Sequence, residues 1–203
     1  MKLSKFFTLE KILLTVIVAL TIVGFWYFEP SLFLRWVVVL VIIFGLLGAF
    51  FSKKEISVPM SRREPLVLFS LYLGIYVFYN LLYGLAIPLY IVMLLILIFA
   101  WALIFILLSL DQINELVKKE IFQFYIVLMG LAVLEIFLAL SFWPIDPKIK
   151  SLIIVLVFYL INSFVYLYVH NVLKLKRIIG YLVVSMLILG ILIANMFFSL
   201  NRG

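Results

Sequence analysis

The chain has 203 residues, of which 68% are apolar and only 12% charged, with 16 Lys and Arg against 9 Asp and Glu. A soluble domain is about half apolar and a quarter charged, so this composition excludes an ordinary globular fold. The net charge of +7 lies in short clusters between apolar runs, the pattern of a membrane protein and not of a nucleic-acid-binding one. No cysteine and one histidine, His170, leave no disulfide framework, no thiolate nucleophile and no plausible metal or cofactor site.

The first apolar stretch, residues 10–28, follows Lys2, Lys5 and Lys11 and superficially resembles a signal peptide. A cleavable signal ends on small residues. This one ends on Phe25-Trp26-Tyr27-Phe28, so an uncleaved span with an interfacial aromatic belt is expected. Six further stretches follow at 31–51, 65–86, 88–110, 121–143, 149–172 and 177–200. Each has the roughly 20-residue length that crosses a 30 Å hydrocarbon core. The expected fold is therefore all-α, one polytopic bundle of about seven transmembrane helices with short loops.

Turn chemistry marks the breaks. Pro30 follows Glu29, Pro88 follows the Gly84–Ile87 stretch, and Pro144 and Pro147 bracket Asp146. Proline disfavours helix at the residue before it. No proline interrupts a span, which argues against the broken helices of many transporters. The loop at 111–120 reads as a solvated connector or a short interfacial helix capped by Asp111. With the N-terminus inside, twelve Lys and Arg fall on the inner side and four (Arg35, Lys148, Lys150 and Arg202) on the outer. This bias predicts a cell-membrane protein with a cytoplasmic N-terminus and an outer C-terminus.

Polar residues inside spans are the main clue to function. Span three carries Tyr72, Tyr76, Tyr79, Asn80 and Tyr83 at helical spacing. Span six carries Tyr159, Asn162, Ser163, Tyr166 and His170, and span seven Tyr181, Ser185, Asn195 and Ser199. Such side chains turn inward and bond across helices, so these three spans are expected to share an interior. For any one of these residues the plainer reading is helix–helix glue, or a headgroup-level belt at Tyr83, Tyr90 and Tyr168.

Glu135 lies eight residues from the outer end of span five, roughly 12 Å deep by helix rise. Acids at that depth are functional candidates by default. Ala132 and Ala139 on the same face predict a tight helix contact, with Asn80, Tyr76, Tyr159, Asn162 and Asn195 as the surrounding polar groups. Arg35, the one intramembrane cation, either pairs with Glu135 or snorkels to the headgroups.

The tools of intramembrane catalysis are scarce: no Schiff-base lysine in the late spans, no Gly-x-Ser with a partner histidine, no paired acids and no His-Glu-x-x-His. An enzyme is not expected. The leading expectation is an accessory or structural membrane subunit, contacting lipid and a membrane-protein partner or further copies of itself. The alternatives are a small-solute or proton-coupled carrier built on Glu135, and a lipid-handling protein.

Overall fold

The computed structural model describes residues 3–51, 64–110, 117 and 119–169, with Ile179, Val183 and Gly190 as isolated helical positions. These residues form six helices and, among them, no strand: α1 Leu3–Phe28, α2 Leu32–Phe51, α3 Glu64–Gly84, α4 Leu89–Leu110, α5 Lys119–Ser141 and α6 Pro147–Val169. Four segments are long and apolar enough to cross a membrane: Pro65–Gly84, Leu89–Ser109, Lys119–Ser141 and Pro147–Val169. Shorter apolar segments, Ile12–Phe28 and Leu32–Val41, lie within α1 and α2. The expected seventh span, 177–200, lies outside the described residues apart from the three isolated positions, as does most of the 111–120 loop.

Helix ends follow from local chemistry. Glu29 closes α1 through its N–H to the Phe25 carbonyl, and Pro30 prevents continuation. Ser31 then caps α2, its Oγ accepting from Leu34 N–H at 3.4 Å. Pro147 occupies the first position of α6, where its missing N–H costs nothing, and Asp146 caps the helix by accepting Lys148 N–H at 2.7 Å. At the end of α3 the reversal falls on Ala86, with φ 51°, and Ile87 N–H reaches back to the Leu81 carbonyl. Gly84, the obvious breaker, keeps helical backbone.

Helix α3 is the hub, packing against α1, α2, α4 and α6, while α5 lies against α4 and α6. Its buried residues therefore surround it: Leu66, Val67, Leu71, Leu73, Ile75, Tyr76 and Tyr79. Facing them, α4 contributes Ile96, Leu103, Ile104 and Leu107, and α5 contributes Met129, Val133 and Phe137. The helices approach closely where glycines leave room. Trp101 of α4 fills the space beside Gly130 of α5, and Phe99 of α4 the space beside Gly74 of α3. Large apolar side chains cover the outside too, including Leu20, Phe33, Trp36, Tyr90, Leu94 and Phe124. A bundle apolar both inside and out is suited to hydrocarbon surroundings, consistent with a membrane location.

Candidate functional site

Polar side chains from distant parts of the sequence meet at one end of the bundle, where α1, α3 and α5 finish and α2 and α6 begin. Glu29 is its centre. It is 1% exposed, and its two carboxylate oxygens are satisfied by three donors. Lys148 Nζ lies 3.0 Å from Oε2 and 3.2 Å from Oε1. Tyr76 OH donates to Oε2 at 3.2 Å, and Ser31 N–H to Oε1 at 3.3 Å. The Glu29 backbone takes part as well, its carbonyl accepting from Arg35 Nε at 2.6 Å. A buried carboxylate is tolerated only when paired and hydrogen-bonded in this way.

A second cluster lies beside the first. Lys150 is buried and donates to Tyr83 OH at 3.0 Å. Its ammonium lies 5.1 Å from the Tyr79 ring centre and 4.7 Å from that of Tyr83, within cation–π range. The two rings stack on each other, and Tyr79 stacks also on Phe137. Each phenol binds α5: Tyr79 OH donates to the Phe137 carbonyl at 3.1 Å, and Tyr83 OH to that of Ser141. Lys148 and Lys150 stand in the first turn of α6, where the helix dipole repels cations. The acid and the tyrosine faces opposite them offset that repulsion. Chemically the arrangement clasps four helices, α1, α3, α5 and α6, at one level.

The expected site residues divide. Tyr76 is at the heart of the first cluster, bound to Glu29 and packed on Phe25 at 5.3 Å. Asn80 turns its amide back to the Tyr76 carbonyl of its own helix, at 2.8 Å. Asn162 and Ser163 are buried and Tyr159 half-buried on α6, which packs on α3. His170 and Asn195 lie outside the described residues. Tyr90 and Tyr168 are exposed, as belt residues would be. Tyr83 is exposed too, but its hydroxyl is engaged by Lys150 and Ser141.

Glu135 is not where the alanine spacing placed it. It is exposed, whereas α5 buries Phe122, Met129, Gly130, Val133, Phe137 and Leu140. The close helix contact on α5 forms at Gly130, five residues and so roughly 140° around the helix from Glu135. Ala139 is exposed with Glu135. Among the described residues no hydrogen bond or ion pair joins Glu135 to Arg35, Tyr76, Asn80 or Tyr159. Arg35 neither pairs with it nor simply reaches outward: it bonds the Glu29 carbonyl, and its guanidinium lies 5.7 Å from the Trp26 ring centre.

Glu29, Lys148 and Lys150 carry the observed chemistry, yet in the sequence they read only as a turn marker and two topogenic charges. Their common position at span ends was the available signal: an acid and two cations on the same side of an alternating bundle are free to meet. Comparison with protein-family models, curated proteins and solved structures finds no match to this chain.

Proposed function

We propose that this is a multi-pass integral protein of the cell membrane, with about seven spans and a cytoplasmic N-terminus, and that it serves as an accessory or structural subunit of a membrane complex. One observation carries this reading. Glu135 lies exposed on an α5 face otherwise formed by Ile121, Phe124, Leu128, Leu131 and Phe142, spaced three, four or seven residues apart. Such a stripe is the form of a helix-docking surface. A carboxyl group within hydrocarbon is costly until another group bonds it, so a neighbouring helix that offers a donor at this level gains both specificity and stability. The densely filled interior around α3 and α4 favours a rigid scaffold. The alternative, a carrier, needs Glu135 among the polar faces of spans three, six and seven, and its exposed position weakens that reading. A lipid-handling role has no comparable support on α5.

Purification of the full chain in mild detergent, with and without Glu135→Leu, tests the proposal. The wild type should retain a stoichiometric membrane-protein partner or a second copy. Glu135→Leu should lose it while melting normally, and Glu135→Gln, which keeps hydrogen bonding, should retain it. A monomeric wild type holding a small solute and no protein would overturn the subunit reading in favour of the carrier.

A further inference from the structure

The corner between α1 and α2 has features that the clasp and the α5 face do not explain. An open groove of about 350 Å³ runs along α1, lined by Ile22, Val23, Trp26 and Tyr27. It is shallow, and its walls are apolar side chains on successive turns of a single helix. Val23 and Tyr27 are 68% and 70% exposed, so the groove opens outward along its length. Arg35 adjoins it through Trp26, one of its walls. Trp26 links the two parts: its ring meets Trp36 edge-on at 5.4 Å and has the Arg35 guanidinium 5.7 Å from its centre.

The state of Arg35 identifies the occupant. Its Nε is engaged by the Glu29 carbonyl at 2.6 Å, which fixes the plane of the guanidinium. No other hydrogen bond holds it among the described residues. The nearby carboxylate of Glu29 is already bound by Lys148, Tyr76 and Ser31, so the charge of Arg35 has no carboxylate partner there. A fixed guanidinium with free terminal N–H groups matches the paired oxygens of a phosphate. Trp and Tyr at a span end mark the headgroup level, and Trp26 and Tyr27 stand at the end of α1, with Trp26 beside Arg35. A phosphate at that level, continuous with an apolar chain running along α1, describes a phospholipid. We propose that the α1–α2 corner binds one anionic phospholipid, its phosphate on Arg35 and an acyl chain in the Ile22–Tyr27 groove.

Native mass spectrometry of the detergent-purified full chain, titrated with phosphatidylglycerol, tests this. One lipid per chain should bind ahead of all others, and ahead of phosphatidylcholine. Arg35→Gln should weaken that first event about tenfold, the factor expected for loss of one charge-assisted contact. Val23→Trp fills the groove without touching any charge and should weaken it comparably, so the result does not depend on one variant folding well. Inorganic phosphate should not displace the lipid. Wild-type affinity in both variants, equal binding of phosphatidylcholine, or displacement by inorganic phosphate would each overturn the site.

Discussion

Glu29 and Lys148 are separated by 119 positions in sequence and by 3.0 Å in space. The acid ends α1 and the lysine begins α6, so the contact joins an early helix to the last described one. Because Glu29 is buried and Lys148 keeps 38% of its side-chain surface, loss of the lysine harms the acid more than the reverse.

Lys148→Met is expected to lower the stability of the bundle by about 2 kcal/mol, by leaving a buried carboxylate short of a donor. Glu29→Gln keeps one acceptor, for Ser31 N–H, and its amide N–H can donate to the Tyr76 hydroxyl, so its loss should be smaller. Thermal unfolding in detergent of the two single variants and the double variant measures the coupling. Strictly additive losses would show that the pair contributes nothing.

Helix packing provides a second test. A Cβ on Gly130 would meet Trp101 Cδ1 and Nε1 at 2.3 Å, and one on Gly74 would meet the Phe99 ring at 2.2 Å. Only the tip of the Phe99 ring is struck, and it can swing away, whereas the indole is struck close to its root. Gly130→Ala should therefore cost about 1–3 kcal/mol, the usual range for overpacking, and Gly74→Ala less. Adding Trp101→Leu to Gly130→Ala should restore part of the loss. Equal melting temperatures for Gly130→Ala and wild type would contradict this packing.

At Ala86 the φ of 51° places a side chain in the left-handed region, at a penalty of about 1 kcal/mol for residues other than glycine. Ala86→Gly is expected to raise stability by about that amount, and Ala86→Val to reduce it, as read by the midpoint of chemical unfolding. A destabilised glycine variant would mean that the reversal after α3 lies at another residue.

Reporter fusions test the orientation proposed from charge. Fusions after residues 60 and 175 should report the inner compartment, and a fusion at residue 203 the outer one. An inner C-terminus would leave an even number of spans and set aside the seven-span reading.

Helix ends were legible because punctuation is local. Prolines 30, 88 and 147 and the caps beside them lie where chain reversals occur, and α2 to α5 end within about two residues of the expected limits. Rotation about each helix axis was not legible. In α4 and α5 nearly every side chain is apolar, so sequence does not mark which face turns inward, and alanine spacing misplaced Glu135. Lateral order was hidden as well. Tyr76 sits 47 residues from Glu29, and no periodicity announces that α1 neighbours α3 and meets the start of α6.

The phenol of Tyr83 makes α3 a gauge for the length of α5. The last carbonyls of a helix have no partner within it, and that of Ser141 is taken by a hydroxyl projecting from the end of α3. One added residue in the final turn of α5 would carry that carbonyl about 1.5 Å further and 100° around, out of the phenol's reach. Helix α5 can therefore be altered along its exposed face with little consequence for the clasp, but it cannot be lengthened or shortened before Ser141 without unseating Tyr83, and with it the hydroxyl that receives Lys150.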